Sequence, residues 1–588
     1  MNIWLDGFRA LGSHAGTLAS VLLILAWGQF VIHRALSKIF GKNPASAEYF
    51  SLSISGWLLP VGLWAVLLFS VSALFGAAVG RLIAAVLLLL SLFMVVKRME
   101  RISISPPFAA LIFFLAVSLV LRSAFLQKAV LPSYFDSAEH YRLIKILLEA
   151  KEVPANGQGA YYHIGYHVLI LAFVRFFQSN IIEVMLVFGQ VILAILPVSL
   201  FFIARRETGS DAAALFTVLL AGFGWHMPAH LLDWGKYPAL LGLVCVHFVL
   251  GLGYAAYRND RFEFRRLSLY FMLGAGVFTS VLIHTRSLVF FVMLAAALFA
   301  VERRKRLPLK FQRLTFACLL AILTVEIGCV WQSPVLQPLV NGYRNSDVWM
   351  LALILFLSLF AARFHNDLTF LLLLLPALLF SGLFIPIHIP GYGVQTLLDR
   401  PYVQMMMYLP LSILGGLGLS GLTQSLARLK PDWQPPARLT AFLLFGLVLW
   451  NASLRHEFYP SDCCQLVTYD DLAAIAWMDK TLPPDANILI ASAGLYVTAL
   501  ESPGTRTGVD GGIWIAPLIS RSAALAPNGL RLDQPEGHAL LCRKNLGYIY
   551  VGGMPQSFAA DLLDDLPDWY QAVFSLPAAK VYRVAGCG

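Results

Sequence analysis

The run Ser133-Tyr134-Phe135-Asp136-Ser137-Ala138-Glu139-His140-Tyr141 brings two carboxylates and an imidazole close together. A helix starting here turns Asp136, Glu139 and His140, spaced i, i+3 and i+4, toward one patch. A carboxylate beside an imidazole is a pairing suited to general acid–base chemistry. The same spacing also suits a helix start, with Asp136 accepting from a backbone N–H and Glu139 reaching back. The two roles are compatible. Further on, Tyr161-Tyr162-His163-Ile164-Gly165-Tyr166-His167 places His163 and His167 one helical turn apart. Asp136, Glu139 and His163, with His140 and His167 beside them, formally supply the ligands for a divalent cation, Mg²⁺ or Mn²⁺. Wet-edged aromatic and imidazole rings at a membrane surface are the plainer reading, so metal dependence stays open.

A second group is cationic. Lys236 and Tyr237 close the polar run His226 to Pro238, Arg286 follows His284-Thr285, and Arg400 follows Asp399. A lone cation at the end of an apolar segment can simply snorkel to water. Lys236, Arg286 and Arg400 come from different joints, however, and together they can neutralise a phosphate or diphosphate at headgroup depth. Arg344 is a lesser candidate of the same kind.

These groups need a scaffold, and the composition names its class. Of 588 residues, 59% are hydrophobic and 13% charged, and the mean hydropathy is +0.72. Soluble globular chains carry roughly a quarter charged residues. The chain therefore reads as a polytopic α-helical membrane protein. The net charge of +10 does not point to nucleic acid, because Lys and Arg cluster beside apolar segments and form no continuous basic face. Window counting gives about fourteen transmembrane helices, near 16–36, 53–75, 78–97, 106–126, 181–204, 210–224, 236–257, 266–283, 287–302, 311–331, 347–363, 367–385, 402–424 and 436–454. Basic clusters at His33-Arg34 with Lys38 and Lys42, Lys97 to Arg101, Arg205-Arg206, Arg258 to Arg266, Arg303 to Arg306 and Arg428 to Lys430 fall on one side, which the positive-inside rule makes cytoplasmic. That orientation requires Tyr162 to Phe177 to be re-entrant or interfacial. The Asp136 segment, the 225–238 loop, the His284 to Arg286 joint and the 385–402 loop then share the outer face with both termini. The expected location is the bacterial cytoplasmic (inner) membrane, multi-pass, with periplasmic N- and C-termini.

Three domains are expected: accessory N-terminal transmembrane helices over 1–105, a transmembrane catalytic core over 106–454 with an outer loop at 127–180, and an extracytoplasmic α/β domain over 455–588. In the last, Ala486 to Ala491 and Leu546 to Val551 read as buried strands, Tyr469 to Leu482 as an amphipathic helix, and Ala572 to Val584 as a hairpin. Cys463, Cys464, Cys542 and Cys587 lie there. An outward location permits disulfides, a pair involving Cys542 is plausible, and the connectivity is left open. Cys245, Cys318 and Cys329 sit in apolar segments as packing residues.

The chain resembles the GT-C superfamily of multi-span glycosyltransferases. The resemblance is carried by the first outer loop with Asp136 and Glu139, the Tyr161 to His167 return, Arg205-Arg206-Glu207-Thr208-Gly209, Asp399-Arg400 before a span, and the C-terminal segments Ala473 to Met478, Leu482 to Ala486, Asp510 to Ile515 and Ser520-Arg521. It implies transfer of a hexosyl or pentosyl group from a polyprenyl-phosphate-linked sugar to a glycan, lipid or protein acceptor at the outer membrane face. In that reading Asp136 is the first-loop carboxylate, a general base or part of a metal site, with Glu139 or His140 as second member. Arg400 holds the lipid phosphate. Tyr161, His163, His167, Lys236, Tyr237, His284, Arg286 and Asp399 complete the substrate-binding set. One direct displacement inverts the anomeric configuration. The acidic pair is not adjacent, no Trp-Trp-Asp motif is present, and the three leading spans lie outside the superfamily's common core, which argues against protein N-glycosylation. The competing reading is a transporter or flippase of a lipid-linked or anionic solute, which would place ionisable groups deep within spans; Glu326 is nearly alone there. A scaffold role leaves Asp136 and the convergent cations without a purpose.

Overall fold

A computed structural model describes residues 2–40, 47–97, 104–149, 163–258, 263–389, 393–429, 434–498, 500 and 506–587. Helices occupy each of the expected spans. Among the described residues, nine are long and apolar enough to cross a bilayer: Ala15–Phe40, Ala47–Phe75, Pro106–Gln127, Ile181–Thr208, Tyr237–Arg258, Leu309–Gln332, Gln337–Phe364, Arg400–Leu429 and Pro435–Arg455. Shorter apolar helices run at Ala77–Ser91, Gly165–Phe177, Asp211–Gly224, Leu267–Ile283 and Asn366–Gly382. Arg286–Lys305 ends in Glu302, Arg303, Arg304 and Lys305. The stretch expected not to span becomes the helix Gly165–Phe177 of 13 residues. At 1.5 Å per residue that is roughly 20 Å, short of the roughly 30 Å of hydrocarbon.

Apolar runs form helices here because a bilayer leaves every backbone N–H and C=O to be satisfied within the segment. The burial pattern then separates centre from periphery. The most apolar window of Ile181–Thr208 is 100% buried, whereas those of Leu309–Gln332 and Pro435–Arg455 are only 17% buried. Phe271, Phe278, Val292, Leu355 and Phe442 are exposed on the outer helices. In water they would be an association surface; in a bilayer they face acyl chains. Without a hydrophobic drive between helices in lipid, close approach relies on small residues. Gly416 and Gly418 in Tyr408–Leu429 supply it, since a Cβ at either would collide with Thr217 or with the Leu357 carbonyl.

The N-terminal helices pack on this centre. Trp57 meets Phe188 edge-on at 6.1 Å, and Gly56 lies against Phe248. An additional helix, Ile3–Ser13, capped by the Asn2 side chain, precedes the first span.

The C-terminal residues form a six-stranded mixed sheet, in order Arg506–Gly508, Asn487–Gly494, Tyr548–Gly552, Ala579–Val584, Tyr570–Leu576, with Ser522–Pro527 pairing parallel to Asn487–Gly494. The expected strands, helix and hairpin are all present: Tyr469–Thr481 is a helix opened by a capping box between Thr468 and Asp471, and Tyr570–Leu576 pairs antiparallel with Ala579–Val584. Cys542 is disulfide-bonded to Cys587, and Cys463 to Cys464. This sheet is seated on the helix Tyr134–Glu149. Leu131 and Ala138 join the core formed by Ile475, Met478, Ile490 and Trp514, while Lys145 donates to the carbonyls of Pro517 and Leu518 at 3.0 and 3.3 Å.

Candidate active site

Asp136 lies in the first turn of Tyr134–Glu149. Tyr134 adopts a left-handed conformation (φ 65°), unusual for a residue with a Cβ, and its N–H donates to the Cys464 carbonyl at 2.8 Å. The C-terminal segment thereby fixes where this helix begins. Since the helix starts before Asp136, the carboxylate is not its cap. It pairs with Lys236. Glu139, one turn on, faces away and forms an ion pair with Arg142 at 2.6 Å.

Asp136 opens into a cavity of about 670 Å³ also lined by His140, His163, Lys236, His284, Arg286 and Asp399, with Leu231, Val289, Ile387 and Met405 as apolar wall. Its lining comes from six stretches of the chain: 136–140, His163, 231–239, 284–289, 387–405 and Leu495. Lys236 is positioned by Gly235 (φ 65°), where a Cβ would lie 2.5 Å from Ser137 Oγ and 2.9 Å from the Ser133 carbonyl; only glycine lets the loop approach the Asp136 helix so closely. Asp399 divides its carboxylate: Oδ1 accepts the Tyr402 N–H at 2.9 Å, capping Arg400–Met406, and Oδ2 pairs with Arg286 at 2.7 Å. The ring of His284 stacks on Tyr402 with centroids 5.3 Å apart and lies 4.9 Å from His163.

The electrostatics follow from burial. Desolvation raises the Asp136 pKa above the ordinary carboxylate value, Lys236 opposing it and Asp399 and Glu139 adding to it. Burial works against the charge of Lys236, yet Asp136 and Asp399 outweigh it and its pKa is raised. Desolvation, then the neighbouring histidines and the nearby cations, hold His140 and His163 well below the usual imidazole range, and desolvation with Arg286 and Lys236 pushes His284 down to about 3. The site therefore presents neutral imidazoles able to donate or accept hydrogen bonds, two cations, and a basic carboxylate.

The other expected residues are placed as follows. His167 Nε2 lies 3.1 Å from His140 Nδ1, behind the cavity wall. Tyr237 is buried and its ring stacks on Tyr166 at 5.9 Å. Tyr161 is outside the described residues. Arg400 does not line this cavity. It faces a second one of about 250 Å³ with His226, His230, Asp233, Trp234 and Glu457, and donates to the Val335 carbonyl at 3.1 Å. Arg344 lies over the Trp331 ring at 4.9 Å. Asp136, Glu139 and His163 are not gathered into one cluster: the carboxylates are turned to Lys236 and Arg142, and the potential ligand clusters found among the described residues lie elsewhere. Sequence reasoning passed over Tyr402, whose only signal is its place after Asp399-Arg400-Pro401, and Leu495, which reaches the cavity from the C-terminal segment.

Fold and site define a multi-span helical membrane protein with a polar, charge-paired cavity at the ends of its helices. The chain belongs to the family of unknown function DUF6541, whose profile matches residues 45–349, just over half its length. Among solved structures it is similar to the Archaeoglobus fulgidus oligosaccharyltransferase in complex with Zn and sulfate, at 12% identity over 81% of this chain and 73% of that one, with a TM-score of 0.33. At that score the likeness decides neither fold nor function. No curated protein matches.

Proposed function

We propose that the protein is a glycosyltransferase that moves a sugar from a polyprenyl-phosphate carrier to an acceptor hydroxyl at the outer face of the membrane. The observation that supports it is the meeting of Asp136, Lys236 and Arg286 in one cavity with an apolar wall. A carrier phosphate beside Lys236 and Arg286 would exchange protein carboxylates for its own oxygens, and the charge that grows on phosphate as the anomeric C–O bond breaks falls on these fixed cations. Lys236, drawn to phosphate, would release Asp136 to accept the acceptor hydroxyl's proton. The neutral imidazoles of His140, His163 and His284 suit sugar hydroxyls. Direct attack inverts the anomeric centre. The 106–454 helices would form the catalytic core, 1–105 an accessory unit, and 455–588 an outer domain over the acceptor side. The membrane would be a bacterial cytoplasmic one.

This reading keeps the phosphate on Lys236 and Arg286 and leaves out Arg400, which lines the other cavity. Binding of polyprenyl phosphate to the purified protein, followed by native mass spectrometry, tests that assignment. Lys236→Ala/Arg286→Ala should lose the bound carrier and Arg400→Ala retain it; the reverse pattern would put the phosphate in the second cavity.

A further inference from the structure

The second cavity carries chemistry that sugar transfer does not use. It lies on the other side of the 230–236 segment, whose residues alternate between the two: Leu231 and Lys236 line the first, His230, Asp233 and Trp234 the second. His230 and Asp233 sit one turn apart on the short helix His230–Asp233, with Nδ1 and Oδ2 3.2 Å apart. Glu457 arrives from the segment after the last span, and the ligand atoms of all three residues lie within 4.8 Å of one another.

An i, i+3 ion pair explains His230 and Asp233 alone. The second carboxylate, that of Glu457, is exposed and shares the cavity with Arg400 and Arg455; a metal ion would draw both carboxylates and the imidazole onto one centre. Two ligand atoms each about 2.0–2.2 Å from a tetrahedral zinc ion lie roughly 3.3 Å apart, which the His230–Asp233 separation matches. The surroundings have the character of an outer shell that orients ligands. Asp233 is 4% exposed, and its other oxygen accepts the Ser461 N–H at 2.9 Å. The His230 ring meets Trp234 edge-on at 4.9 Å. His456, lining the same cavity, has a buried Nε2 with no hydrogen-bond partner among the described residues. His230 also belongs to a second cluster with Cys463 and Cys464, but those sulfurs are joined in a disulfide and are not the thiolates that metals take.

We infer that His230, Asp233 and Glu457 form a binding site for a divalent cation of the zinc class, separate from the Asp136 cavity and independent of the sugar-transfer reading. One imidazole nitrogen and two carboxylate oxygens favour Zn²⁺ over Mg²⁺ or Ca²⁺, which prefer all-oxygen shells. The site joins the 225–238 loop to the chain leading into the C-terminal sheet.

The test uses the full-length protein in detergent, stripped with chelator, reloaded with Zn²⁺ alone and measured by elemental analysis and titration. One zinc per chain is expected, unaffected by excess Mg²⁺. Asp233→Asn/Glu457→Gln should weaken binding at least tenfold while keeping the wild-type elution profile, and Cys463→Ser/Cys464→Ser should bind as wild type. No stoichiometric zinc, unchanged affinity in the carboxylate variant, or loss confined to the cysteine variant would each overturn the assignment.

Discussion

In the proposed transfer Asp136 is the general base, and its environment then predicts how activity depends on pH. Burial raises its pKa and Lys236 holds that rise in check, so the base is lost to protonation at a higher pH than an ordinary carboxylate would be. The acid limb of the transfer rate should lie above the usual carboxylate range, and Lys236→Met, by removing the opposing charge, should move it higher still; a limb that stays put would separate Asp136 from the base. Asp136→Asn should lower the transfer rate in membranes by about 10²- to 10⁴-fold with protein level unchanged. Lys236, Arg286 and Arg400 were legible in sequence as cations contributed by different outer joints. Which cation faces which cavity was not, because the neighbours Asp399 and Arg400 point into different ones. Glu139 looked like a partner for Asp136 on spacing alone, yet a helix that begins at Tyr134 turns it toward Arg142.

At the scale of elements, the site depends on how closely the 230–236 loop approaches the helix Tyr134–Glu149. Gly235→Ala puts a methyl group against Ser137 and the Ser133 carbonyl and strains a left-handed residue, at a cost of about 1–2 kcal/mol for the backbone alone. Lys236 should then withdraw from Asp136, with membrane insertion intact and carrier binding weakened. Wild-type carrier binding by Gly235→Ala would show that the approach is dispensable. Hydropathy reveals the helices, since twenty apolar residues have few other uses, and the charge bias asks Gly165–Phe177 not to span, which suits its 13 residues. The hairpin of Pro386–Ile389 and Gly393–Thr396 was invisible, because a four-residue strand between apolar spans has too little alternation to register. It nonetheless contributes Ile387, Gln395 and Thr396 to the cavity.

For the molecule as a whole, the C-terminal sheet and the membrane helices are built into one another at the site. Cys464 receives the Tyr134 N–H, Val497 the Arg400 N–H at 2.9 Å, and Leu495 enters the cavity. Sequence separates the two parts by composition but says nothing of this joint, which is made of backbone hydrogen bonds that any residue can supply. In the proposed function the sheet would lie on the side of the cavity from which an acceptor approaches. The most direct measurement is the pool of lipid-linked sugars in cells lacking the protein. The account predicts that one polyprenyl-phosphate-linked sugar accumulates, that the wild-type chain clears it, and that Asp136→Asn, expressed to the same level, does not. An unchanged pool on deletion, or clearance by Asp136→Asn equal to wild type, would contradict it.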